Sequence, residues 1–105
     1  MLDQSKQALP RFVFTVDGCT INTFHIAKAG EGHPKHQHEY EHVTQVHSGR
    51  LLCTMAHTSF EMTKDTTPIK FPANEWHELE ALEDGTVFCN VFAAGKDAQL
   101  LASDM

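Results

Sequence analysis

No run in this sequence approaches the ~18 apolar residues that a bilayer-spanning helix needs, so no membrane partner is expected. Cations are also scarce. Eight Lys and Arg stand scattered against 14 Asp and Glu, giving a formal net charge of −6. A surface that tracks phosphates needs clustered cations, so nucleic acid is not an expected partner. Only three cysteines occur (Cys19, Cys53 and Cys89), widely spaced, without C-x-x-C, each inside an apolar or β-branched run. That pattern predicts reduced, buried thiols rather than a disulfide framework. The N-terminal stretch MLDQSKQALPRF lacks a signal-peptide apolar region, which makes a cytoplasmic protein the expectation. No linker, repeat or low-complexity segment divides the chain. Its 105 residues, 41% of them hydrophobic, predict one domain over 1–105, with a polar N-terminal arm over 1–9 and a tail over 96–105.

What is present is period-2 patterning. Phe12, Phe14 and Val16 alternate with Arg11, Val13 and Thr15, and Asp17-Gly18 is a hairpin signal before the return strand CTINTFHIA. KAGEGHPK at 28–35, with two glycines and a proline, reads as a loop. LLCTMAH (51–57), IKF (69–71) and TVFCNVFAA (86–94) read as further strands, the last following a hairpin-like EDG at 83–85. Seven or eight short strands with turn signals every eight to twelve residues predict an all-β sandwich or barrel of antiparallel sheets. A short C-terminal helix is the one helical element expected.

Eight histidines are the unusual abundance, and five of them (33, 36, 38, 42 and 47) fall within fifteen residues. His38-Glu39-x-x-His42 satisfies the zinc-protease spacing H-E-x-x-H, which requires a helix. Gln45 and Ser48 stand where the metzincin extension wants Gly and His, and Val43, Thr44 and Val46 favour strand. A β reading puts His36, His38 and His42 on one face of the chain. A straight strand would hold the α-carbons of His36 and His42 roughly 20 Å apart, so the chain must turn at Glu39-Tyr40-Glu41 before both can reach one ion. His77, in PANEWHEL, is the distant candidate that would close the site.

Gly30, His36-x-His38, His42 and Gly49, at spacings of five, three and six residues, resemble the first cupin motif. Pro72-x-Asn74 and His77 resemble the second, and the two motifs cover about half the domain. The resemblance implies a cupin jelly roll, a β-barrel or sandwich of two antiparallel sheets. His42 stands where cupins usually carry a glutamate, Asn74 where a glycine is usual, and Ala81 replaces the terminal asparagine of the second motif. With His36, His38, His42 and His77 as metal ligands, the chain resembles the tetrahistidine branch of small single-domain cupins.

Four neutral imidazoles would leave the +2 charge of a divalent ion uncompensated, favouring anionic ligands such as an enolate or carboxylate. Imidazole suits Fe, Mn, Ni, Cu or Zn alike, so the metal is not named by its ligands. The resemblance implies a metal-dependent oxygenase or dioxygenase acting on a small organic anion. A non-catalytic metal- or ligand-binding or sensing barrel, and a metal-dependent isomerase or lyase, stand as alternatives. It also implies a homodimer, with the arm and first strand as the segment to exchange. Tyr40 shares the ligand parity and is the one candidate catalytic side chain; Glu39 or Glu41 could replace His42. His33 and His47 have the wrong parity and are expected to be exposed, while His25 and His57 read as structural strand residues. Trp76, Phe71, Phe88 and Phe92 are expected in the core. Arg50 and Lys28, expected at solvated surface positions, are the nearest candidates for holding a substrate carboxylate.

Overall fold

Side chains that alternate in polarity bury one face of each strand, and two such sheets stack here around a shared core. The computed structural model describes residues 2–93. The expected C-terminal helix lies outside the described residues. Nine strands occur among them: β1 Phe12–Val16, β2 Cys19–Ile26, β3 Gly32–His36, β4 His42–Ser48, β5 Leu51–Met55, β6 Ser59–Met62, β7 Ile69–Phe71, β8 His77–Ala81 and β9 Thr86–Ala93. One sheet has the order β1-β2-β9-β4-β7 and the other β3-β8-β5-β6. Every strand pairing is antiparallel. This is the all-β sandwich of antiparallel sheets that the patterning predicts, in the jelly-roll form that the cupin resemblance implies. No helix among the described residues is long and apolar enough to cross a membrane.

The core lies between the sheets. Phe24 and Ile26 of β2, Val46 of β4, Phe71 of β7 and Phe88 and Phe92 of β9 face Leu51 and Cys53 of β5, Met62 of β6 and Leu79 and Ala81 of β8. Phe24 and Phe88 stack at 5.0 Å between ring centroids. Burying each such ring contributes roughly 2–3 kcal/mol. Polar side chains are buried beside this core too: Asn22, Asn90, Thr44, His33, His42 and His77.

Asp17 and Gly18 both have positive φ, 47° and 78°, the two-residue turn that matches the strand twist and sets Val16 opposite Cys19. Elsewhere the turns behave differently from their sequence reading. The 83–85 turn is not a hairpin, because β8 and β9 lie in different sheets. Gly85 N–H donates to the Ile26 carbonyl and Asp84 accepts from Ala29 N–H, so the turn is tied to the end of β2 instead. The stretch read as a loop over 28–35 contains β3. Pro34 is tolerated there because the β3–β8 register shifts between His33 and His36, a bulge in which the missing N–H leaves no gap in the ladder. Strand β6, too short and polar to show periodicity, pairs with β5.

The N-terminal arm is fixed on its own chain. A 3₁₀ turn at Gln4–Lys6 leads to Ala8, whose N–H donates to the Gly32 carbonyl, and Leu2 N–H donates to the Glu78 carboxylate. Cys53 and Cys89 are buried as expected, but Cys19 is exposed because it sits on the outward face of β2. Trp76 is 47% exposed rather than in the core, since the turn before β8 turns it out to meet Lys35 at 5.5 Å. His57 lies in the exposed bend after β5, not on a strand.

Gly49 joins β4 to β5 with φ 77°, and a Cβ there would strike Thr86. Gly49→Ala is therefore expected to cost at least about 1–2 kcal/mol, read as a lower urea midpoint. An unchanged midpoint would contradict this account of the turn.

Candidate metal centre

The chain crosses from one sheet to the other between His36, the last residue of β3, and His42, the first of β4. His36 and His42 are therefore not on one bent strand. They sit on strands of opposite sheets, joined by a crossover with its bend at Glu39 and Tyr40. His77 opens β8 and is directly opposite His36 in the β3–β8 register. The turn before it is tied to the crossover, where Asn74 N–H donates to the His38 carbonyl at 2.7 Å. Asn74 holds φ 60°, a conformation Asn adopts more readily than most residues, which accounts for Asn where a glycine is usual.

His36, His38 and His77 each offer a ring nitrogen, and the three lie within 4.8 Å of one another. Their ring centroids are 4.4 Å (36–77), 5.0 Å (38–77) and 5.3 Å (36–38) apart. In each ring Nδ1 is hydrogen-bonded to a carbonyl two residues away: His36 to Pro34 at 2.7 Å, His38 to Tyr40 at 2.8 Å and His77 to Glu75 at 3.0 Å. A carbonyl only accepts, so Nδ1 carries the proton and Nε2 the lone pair. That tautomer is the one a metal-ligating imidazole needs. In His36 and His77 the Nε2 atom is buried and has no hydrogen-bond partner in the protein. An orphaned buried acceptor costs free energy that a coordinated cation would recover. These residues fit a divalent transition-metal ion.

His42 stands beside this group. Its ring centroid is 5.2 Å from His38 and 5.1 Å from His77, and it stacks on Phe71 at 5.0 Å. Neither of its nitrogens has a hydrogen-bond partner, so no carbonyl fixes its tautomer. Tyr40 is half-buried, with its ring stacked on His38 at 4.1 Å and against Phe92 at 4.6 Å. Glu39 is exposed, and Glu41 forms an ion pair with Lys70 at 3.1 Å on the surface. Arg50 is also held at the surface, by Glu61 and Glu83, at the opposite end of β8 from His77. Lys28, His25 and His47 are exposed.

His33 is the residue that strand parity misplaces. The bulge between His33 and His36 turns both inward, and His33 is fully buried rather than exposed. Its ring lies 4.4 Å from Phe24, 5.4 Å from Phe88 and 6.0 Å from His36. Pro34 beside it is the signal that regular alternation can fail there.

Burial holds these imidazoles neutral. It pushes His77 down to about 4, with a further contribution from His36. It pushes His42 down to about 2, with His77 and His38 adding to it. His36 is lowered by burial despite its bond to Pro34, and His33 falls well below the ordinary range.

No family model and no curated protein matches the sequence. Solved structures do match. KdgF from Halomonas sp. aligns at TM-score 0.71 and 15% identity over 82% of this chain and 79% of that one. A cupin protein from Bacteroides fragilis aligns at 0.63 and 19%, over 77% and 70%. A cupin 2 conserved barrel domain protein from Rhodopseudomonas palustris aligns at 0.65 and 21%, over 81% and 60%. The chain has the cupin fold.

The lowered histidines set a pH dependence. Above about pH 6.5 these groups are neutral in both folded and unfolded chains, and stability is at its full value. Below it the unfolded chain takes up protons first, so stability is lost as pH falls toward the folded values. Each histidine contributes about 1.4 kcal/mol per pH unit. Chelated protein is expected to show a lower urea midpoint at pH 5 than at pH 7.5. Equal midpoints would contradict the burial of neutral imidazoles.

Proposed function

We propose that the chain is a metal-dependent cupin enzyme of the oxygenase class, acting on a small organic anion. His36, His38 and His77 hold one divalent ion of Fe, Mn, Ni, Cu or Zn, and His42 is its fourth ligand. The observation that carries this reading is the donor set, three imidazoles with the proton parked on Nδ1 and no carboxylate in the group. A divalent ion bound there keeps its full charge and attracts an anionic substrate. When bound, the ion supplies Lewis acidity and, if redox-active, electron transfer to O₂. The protein keeps the rings oriented and the site screened from water. Tyr40, packed between His38 and Phe92, is suited to positioning His38.

A second reading follows from His42. Left out of the ligand set, its neutral imidazole is a proton acceptor beside the ion, which suits an isomerase or lyase. A binding or sensing barrel without turnover is the non-catalytic form of the same site. Three free thiols suit a reducing cytoplasm, and two chains are proposed to pair.

Elemental analysis of untagged protein is expected to show one transition-metal ion per chain. His36→Ala and His77→Ala should lose it, while Glu41→Gln should keep it. Undiminished metal in either alanine variant would end the assignment. Oxygen uptake with a panel of small enolisable acids should return to stripped protein with Fe or Mn and not with Zn. Full turnover with Zn would shift the reading to the isomerase or lyase, and metal binding without any turnover to the binding barrel.

A further inference from the structure

Three polar side chains stand side by side on the inner wall of the five-stranded sheet. Asn22 of β2 is directly opposite Asn90 of β9, and Asn90 is opposite Thr44 of β4. All three are fully buried. Val13 and Ile69 close the row at its two ends. Two residues along each strand, the next inward row is Phe24, Phe88 and Val46, and the row on the other side holds Phe92 and His42. The two amides therefore lie between His42, which adjoins His38 and His77, and the Phe24–Phe88 pair that packs on His33. This stretch of wall flanks the candidate metal centre.

Hydrogen bonding leaves the row incomplete. The Thr44 hydroxyl donates to Asn90 Oδ1 at 2.6 Å, which leaves Nδ2 as the free end of that amide. Asn22 Nδ2, Asn22 Oδ1 and Asn90 Nδ2 are buried with no hydrogen-bond partner in the protein. A buried amide with nothing to bond lowers stability, and an apolar side chain of the same size would not. Folding alone gives no reason for asparagine at position 22.

We propose that Asn22 and Asn90 form a clamp for an uncharged hydroxyl group on the ligand of the neighbouring histidine site. The free atoms decide the class. Two amide nitrogens donate and Asn22 Oδ1 accepts, and a hydroxyl does both. A second carboxylate would enter without a counter-charge, since no Lys or Arg is buried among the described residues. A methyl group in the same place would leave the amides unpaired. The inference rests on the metal-dependent reading for the anionic end of the ligand, which becomes a small hydroxylated organic anion. The clamp itself follows from the sheet register and the unpaired amides, not from the ion.

The test is a titration of the zinc-loaded, ¹⁵N-labelled full chain with γ-hydroxybutyrate, butyrate and succinate, acids of one chain length that differ in the end group. The side-chain NH₂ signals of Asn22 and Asn90 are expected to shift saturably with γ-hydroxybutyrate. That acid should bind at least about tenfold more tightly than either of the others. Asn22→Leu orphans no other group, because Asn22 has no side-chain partner to lose. The variant should reduce the preference to less than about threefold, with zinc content retained and a urea midpoint, once chelated, no lower than wild type. Equal affinity for the three acids in wild type would overturn the inference, as would a preference that survives Asn22→Leu. A lowered midpoint in that variant would also overturn it, by making the amides a structural element. Should wild type hold no zinc, the metal reading fails by itself, and the same titration of the metal-free chain decides the clamp. A hydroxyl preference at the Asn22 and Asn90 signals then upholds it, and its absence overturns it.

Discussion

Three hydrogen bonds of one kind organise the site. His36, His38 and His77 each give the Nδ1 proton to a carbonyl two residues away, at 2.7, 2.8 and 3.0 Å. Each bond spans so few residues that it fixes a ring relative to its own backbone. The sheets then need only bring three stretches of backbone together. Pairing of His36 with His77 in the β3–β8 ladder does part of this, and the bond from Asn74 N–H to the His38 carbonyl does the rest. The crossover and the turn before β8 are the two segments that matter, and each is held by the other.

This arrangement is expensive for a metal-free protein. His36 and His77 bury lone pairs that nothing in the protein satisfies, and His33 and His42 lack hydrogen-bond partners on both nitrogens. Unsatisfied buried groups cost about 1–3 kcal/mol each. The apolar core offsets that cost, with Phe24, Phe71, Phe88, Leu51, Met62 and Leu79 all fully buried. Phe71 and Phe92 pack against His42 and Tyr40. The same rings pack directly on the histidines, Phe24 and Phe88 on His33 and Phe71 on His42 and His77, so the apolar core supports the unpaired groups at contact.

Much of this was legible in the residues. Asp17-Gly18 and the alternation on each side of it specify β1 and β2, and TVFCNVFA specifies β9, because period-2 patterning and turn chemistry are local signals. The need for a turn within Glu39-Tyr40-Glu41 followed from reach alone. Non-local features were not readable. Glu83, Asp84 and Gly85 illustrate the limit: they make a turn, but which sheets it joins depends on the pairing of β9 with β2 and β4. The bulge at Pro34 breaks the parity count that placed His33 outside. Trp76 is large enough to be assigned to a core, yet its turn projects it outward.

The central claim is that the histidines are set as Nε2 ligands before any metal arrives. Long-range ¹H–¹⁵N correlation spectra of chelated, ¹⁵N-labelled protein read the tautomer of each ring directly. His36, His38 and His77 are expected as neutral imidazoles protonated at Nδ1, opposite to the Nε2-protonated form that free histidine favours. Protonation at Nε2 in these three rings, or rapid exchange between tautomers, would contradict it.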